Sequence, residues 1–236
     1  MLTAPHPRGV LLDAGNTLVF VDPEILYAAF RKVGLPVHPE RFPEAEFQAR
    51  SRLVEKAGEV NSGTESIVWR EYFVQMLLAL GVPPGRLEEV GAILQEVHQQ
   101  DHLWTRVEAG TREALERLTK TGYRLGVVSN SDGRVEDLLT RLDLREHLDF
   151  VLDSGVMGVE KPDPRIFQEG CRLLGLPPEE CLYVGDLFPV DIQGAWGAGL
   201  QAVLMDPLDR WDVPADRVAS VRELPEYLEK RRLQGA

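Results

Sequence analysis

The first apolar cluster of the chain does not alternate. Val10-Leu11-Leu12 runs straight into Asp13, and Ala14-Gly15-Asn16-Thr17 follow before Leu18. An unbroken apolar run closed by small, turn-forming residues reads as a parallel strand buried on both faces. The period then changes. Asp22-Pro23-Glu24 offers an N-cap, a proline at the first helical position and an acid in the first turn, which predicts a helix to about Val33 with Gly34 as its stop. A charged helix is expected from Pro43 to Ala57 and a loop at Asn61-Ser62-Gly63. Ile67, Trp69, Tyr72, Phe73, Met76, Leu77 and Leu80 recur at helical spacing, the pattern of a helix with a broad buried face. Another helix is read from about Leu87 to His102, after Pro83-Pro84, and no strand is read between residues 19 and 105.

Beyond residue 105, helical and strand-like segments alternate. Thr111 to Leu118, Arg134 to Leu142, Pro164 to Leu174, Ile192 to Ala198 and Leu224 to Arg232 have helical patterning. Tyr123 to Val128, Phe150 to Leu152, Cys181 to Val184 and Gln201 to Leu204 are short apolar strands between them. Such alternation predicts an α/β fold with a doubly wound parallel sheet. The first strand belongs to that sheet. The expected organisation is therefore an α/β core of residues 1–18 and 106–236 interrupted by an all-helical insertion over residues 19–105.

Charge narrows the range of partners. The 236 residues carry 38 acidic against 26 basic side chains, a net charge of -12, which argues against binding nucleic acid or an anionic membrane surface. A small anionic substrate would need a local cation, and lysine is confined to Lys32, Lys56, Lys120, Lys161 and Lys230. Cys171 and Cys181 match no metal-ligand spacing and read as buried free thiols. The N-terminus lacks an apolar signal core and no membrane-length apolar segment follows, so a cytoplasmic location is expected. The apolar helix around Trp69 would serve equally to fill the insertion or to pair two chains, and the oligomeric state stays open.

Four separated stretches put reactive groups where strands end: Asp13, Ser129-Asn130, Lys161 in Glu160-Lys161-Pro162, and Asp186 with Asp191 in Gly185-Asp186-Leu187-Phe188-Pro189-Val190-Asp191. Ligands of open α/β sheets bind beyond the carboxyl ends of the strands, so these groups converge if their strands are neighbours. Carboxylates, one lysine and one hydroxyl suit a hard cation such as Mg2+ together with a phosphoryl group. Asp191 serves equally well as the cap of the helix that follows it.

Asp13 to Leu18, Ser129-Asn130, Lys161, and Gly185-Asp186 with Asp191 together resemble the four motifs of the haloacid dehalogenase-like hydrolases, in the branch with an α-helical cap between the first two motifs. The resemblance implies that Asp13 is the nucleophile and forms an aspartyl intermediate. It also implies that Ser129, Asn130 and Lys161 hold the substrate's phosphoryl group, and that Asp13, the carbonyl of Gly15 and Asp186 bind Mg2+ with Asp191 orienting metal-bound water. Residues 19–105 would be the cap that selects a small phosphorylated metabolite, with Arg31, Arg41, Arg50, Arg52, Arg70 and Arg106 as possible contacts to its charge.

One position departs from the family. Its phosphatases carry a second acid two residues after the nucleophile, and here that residue is Gly15. His38 and Glu24 are conceivable replacements. The same departure keeps other readings open: a 2-haloacid dehalogenase, although the tyrosine usual there is also replaced by Gly15; a phosphonatase using Lys32 or Lys56; and a member that has lost turnover and serves in binding.

Overall fold

The computed structural model describes residues 5–57 and 65–234. The expected loop at Asn61-Ser62-Gly63 and the side chains of Lys56 and Ile67 lie outside the described residues. The chain divides into two compact units, Met1–Phe20 with Val107–Ala236, and Val21–Arg106.

The first unit is built on a parallel sheet with the strand order β5-β4-β1-β6-β7-β8. Its strands are β1 (Gly9–Leu12), β4 (Arg124–Ser129), β5 (Phe150–Asp153), β6 (Cys181–Gly185), β7 (Gln201–Met205) and β8 (Arg217–Val218). All four residues of β1 and all five of β6 are buried, as apolar runs without alternation require. The helices α5 (Thr111–Lys120), α6 (Val135–Arg141), α7 (Ser154–Met157), α8 (Pro164–Leu174), α9 (Gln193–Gly197) and α10 (Leu224–Gln234) form the crossovers and the C-terminal end. α8 starts where Asp163 caps it by accepting from the Arg165 N–H at 2.9 Å, and stops at Gly175 in a left-handed conformation (φ 66°). Its inner face joins Leu11, Val128, Tyr183 and Leu204 in one core through Ile166, Phe167 and Leu174. Cys171 and Cys181 are free and buried in that core.

The second unit holds α1 (Pro23–Lys32), α2 (Phe42–Ala57), α3 (Glu65–Ala79) and α4 (Leu87–Gln100). Asp22 caps α1 through the Glu24 N–H at 2.9 Å, as its sequence predicts. α2 lies along α3, and α4 packs on α1 and α3. Trp69, Tyr72 and Phe73 of α3 gather around Trp104, with ring centroids 4.7, 6.3 and 5.3 Å from it. The absence of strands expected between residues 19 and 105 is corrected here: β2 (Phe20–Val21) and β3 (Trp104–Arg106) form a two-stranded sheet. The Asp22 N–H donates to the Leu103 carbonyl at 3.0 Å beside it. α4 ends at Gln100, so His102 belongs to the approach to β3 and not to the helix. Strands this short carry no periodicity, and their pairing partner lies some eighty residues away. Among the described residues, no helix is long and apolar enough to cross a membrane.

Candidate active site

The sheet changes direction at β1. Leu12 is in register with Val127 of β4 on one side and Val184 of β6 on the other. The crevice beyond such a reversal is where open α/β sheets take their ligands. Asp13 is the first residue past β1, and its N–H still donates to the Val184 carbonyl at 2.8 Å. Ser129 is the last residue of β4 and Asp186 follows the last residue of β6, so the three polar groups emerge from adjacent strands at one edge. All three are buried. The chain then turns tightly, with Asn16 in the left-handed region (φ 51°) and Gly15 bridged through its backbone to Val19.

Lys161 stands at the centre. It lies in the turn before α8, with its side chain 3% exposed. Its ammonium donates to Asp13 Oδ1 at 2.7 Å, Tyr183 Oη at 2.8 Å and Asp191 Oδ1 at 2.8 Å, which uses all three of its protons. Asn130 fixes the turn from below. Its Nδ2 donates to the Lys161 carbonyl at 3.0 Å, while its Oδ1 accepts from the Lys161 N–H at 2.8 Å. Asn130, expected to contact substrate, thus clamps the Lys161 backbone through both ends of its amide.

Asp191 is delivered by a single wide π-turn, Phe188–Ile192, between β6 and α9. A helix starting at Ile192 is the sequence expectation, whereas α9 begins one residue later, after this turn. Asp191 closes back on its own strand, with Oδ2 accepting from the Leu187 N–H at 2.9 Å. Gly185 makes room for it, since a Cβ there would stand 2.5 Å from Asp191 Cγ. Asp186 accepts from Asn16 Nδ2 at 3.3 Å through Oδ2.

Carboxylate oxygens of Asp13, Asp186 and Asp191 lie within 4.8 Å of one another, close enough to hold one metal ion. Three buried acids surround one buried ammonium, so the fully ionised cluster carries two uncompensated negative charges. Burial is the largest influence on Asp13 and raises its pKa to about 6; Lys161 opposes that rise and Asp191 adds to it. For Lys161, burial disfavours the charge, but Asp13 and Asp191 outweigh it and hold the pKa above the ordinary lysine value. The Tyr183 hydroxyl is pushed well above its usual value, first by burial and then by the neighbouring carboxylates.

The sequence reading misses three polar groups that the fold uses. Tyr183 is a polar tip on an apolar strand; besides accepting from Lys161, it donates to the Val128 carbonyl at 2.8 Å. Asn16 reads as a turn residue, yet its amide reaches Asp186. Asp153 closes β5, one residue past the expected strand end, and accepts from the N–H groups of Gly133, Val135 and Gly155 at 3.1, 3.2 and 2.9 Å. An acid at the end of an apolar strand is the signal that identifies Asp13, and it was available for Asp153 too.

In the helical unit, several candidate groups already have partners. Arg50 is buried and lies 2.7 Å from Glu46, Glu24 lies 3.2 Å from Arg31, and His38 lies 3.3 Å from Glu40. Arg52 pairs with Glu55 at 2.7 Å, and Lys32 is exposed on α1.

Comparison with known proteins shows the family. A mouse protein named haloacid dehalogenase-like hydrolase domain-containing protein 3 is 37% identical over 157 residues, covering 64% of this chain and 62% of its own length. A glyceraldehyde 3-phosphate phosphatase from Methanopyrus kandleri is 32% identical over 162 residues, covering 65% of this chain and 69% of its own. The crystal structure of a 2-haloacid dehalogenase from Pseudomonas syringae pv. Tomato superposes with a TM-score of 0.60 at 26% identity, over 95% of this chain and 99% of that one. The haloacid dehalogenase-like hydrolase family model matches residues 7–199, the stretch that holds every group of the Asp13 cluster, and the chain belongs to that family of hydrolases.

Proposed function

We propose that the chain is a Mg2+-dependent phosphatase that hydrolyses a small phosphorylated metabolite through a covalent intermediate on Asp13. The observation that carries this reading is the imbalance of charge at the switch point, three buried carboxylates against one ammonium. Burying that excess is costly without a further cation, and clustered carboxylate oxygens favour a hard one. Asp13 and Asp186 would hold the ion, with the Gly15 carbonyl as a third donor. When bound, Mg2+ would neutralise the cluster and draw charge from a phosphoryl oxygen. The phosphatase name of the archaeal relative supports a phosphoryl substrate.

The chain's own groups divide the remaining work. Lys161 fixes Asp13 Oδ1 and so orients the nucleophile, while its charge offsets that of the arriving phosphate. Ser129, buried at the end of β4, presents a hydroxyl to the phosphoryl group. Asp191 holds Lys161 and would orient water on a bound ion, and Asn130 positions the Lys161 backbone. Val21–Arg106 acts as the cap that excludes water and selects substrate.

A second reading is a 2-haloacid dehalogenase, favoured by the absence of an acid at Gly15 and by the solved dehalogenase at 26% identity. The intact carboxylate cluster favours the phosphatase. The deciding assay is p-nitrophenyl phosphate hydrolysis with and without Mg2+, for the native chain and Asp13→Asn, beside halide release from 2-chloropropionate. Phosphate release that needs both Mg2+ and Asp13 supports the proposal. Halide release indifferent to Mg2+, with no phosphate release, overturns it.

A further inference from the structure

Resting on the phosphatase reading, we infer that the phosphorylated form of Asp13 is the predominant species during turnover, because the described residues of the α/β unit bring no acid two positions beyond the nucleophile to serve as base to the water that must cleave it. The two half-reactions make different demands. In the first, a carboxylate oxygen of Asp13 attacks phosphorus, the bond from phosphorus to the leaving oxygen breaks, and that oxygen departs with the electron pair. A leaving group as stable as p-nitrophenolate needs no proton. In the second, a water oxygen attacks phosphorus, the bond to Asp13 breaks and returns the carboxylate, and a water proton must pass to a base.

Among the described residues, each group around Asp13 already serves another contact. Asp191 accepts from Lys161 Nζ through Oδ1 and from the Leu187 N–H through Oδ2. The Tyr183 hydroxyl donates its proton to the Val128 carbonyl. Lys161 enters as a donor to three oxygens, so it has no lone pair to offer. Asp186 accepts from Asn16 and stands in the carboxylate cluster that would hold the cation. Residue 15, two positions beyond the nucleophile, is a glycine and brings no side chain. General base assistance is worth about 100- to 10,000-fold, and here its loss falls on the second half-reaction alone when the leaving group is good.

The experiment mixes the full chain rapidly with p-nitrophenyl phosphate and Mg2+. The expected result is a burst of p-nitrophenolate near one equivalent per chain, followed by a steady rate slower by about 100-fold or more. Acid-quenched chain should be heavier by one phosphoryl group on the peptide bearing Asp13, and Asp13→Asn should show neither burst nor modification. Hydroxylamine, which cleaves acyl phosphates at the carbonyl carbon, should inactivate the native chain only while substrate is present and leave a hydroxamate at Asp13. Gly15→Asp should shrink the burst and raise the steady rate, and the hydroxylamine arm tests the same point without relying on that variant. Mg2+- and Asp13-dependent turnover with no burst and no phosphorylated chain overturns the inference and leaves the phosphatase reading standing. Neither turnover nor phosphorylated chain overturns both.

Discussion

Replacing Asp13 should make the metal-free protein more stable. Asp13 has an ordinary carboxyl pKa of 3.8 when unfolded and about 6 when folded, so the folded state holds its proton more tightly. Such a group costs nothing at about pH 3 or below, where it is protonated in both states. The native chain then loses stability as pH rises through the interval up to about 6, and the full cost is present above it. Two pH units correspond to roughly 3 kcal/mol. Asp13→Asn keeps an oxygen that can accept from Lys161 and removes the charge, leaving Lys161 paired with Asp191 at 2.8 Å. At pH 7.5 the variant should gain about 3 kcal/mol, or roughly 6–12 °C in Tm for a chain of this size; at about pH 3 the gain should vanish. The assay is urea and thermal unfolding of both chains in chelator at the two pH values. Adding Mg2+ at pH 7.5 should narrow the difference, because the ion stabilises the native chain by mass action. A variant no more stable than the native chain at pH 7.5, or equally stabilised at both pH values, would refute the reasoning.

The other expectations follow from the same cluster. Lys161→Met leaves Asp13 and Asp191 buried without their ammonium, so it should cost about 3–5 kcal/mol in urea unfolding and abolish phosphatase turnover. Combining it with Asp13→Asn should restore part of the stability and none of the activity. Tyr183→Phe strands the Val128 carbonyl and one Lys161 proton, at a cost of about 1–3 kcal/mol measured by the urea midpoint. Mg2+ must displace the Asp13 proton at low pH, so calorimetry should show about tenfold weaker binding at pH 5 than at pH 7.5, with proton release at the lower value.

What the sequence showed and what it hid have separate physical causes. Asp13, Ser129 and Asp186 were legible because each ends an apolar run, and a parallel strand buried on both faces leaves no other place for a polar side chain. Lys161 was legible only by its position among the other three, since nothing local distinguishes a reactive lysine from a solvated one. Its actual holders, Asn130 and Tyr183, were not legible as such: one lies 31 residues away and the other 22. Their hydrogen bonds form only after the sheet has brought β4 and β6 to either side of β1. The β2–β3 pair escaped for a related reason. Two or three residues have no period, and what makes them strands is a partner at the far end of the helical unit.

The position of β1 also bears on how the chain is made. Its partners β4 and β6 are translated long after it, and Leu12 meets Val184 only when the β6 segment exists. At ribosomal speeds of about 5–20 residues per second, the Val10–Leu12 run waits on the order of ten seconds or more without its cover. Val21–Arg106 is synthesised complete in that interval and can assemble first. Newly made chains cut short before β6 would thus hold a folded helical unit beside an exposed apolar strand, which makes them natural clients for chaperones and a source of aggregation when expression is fast.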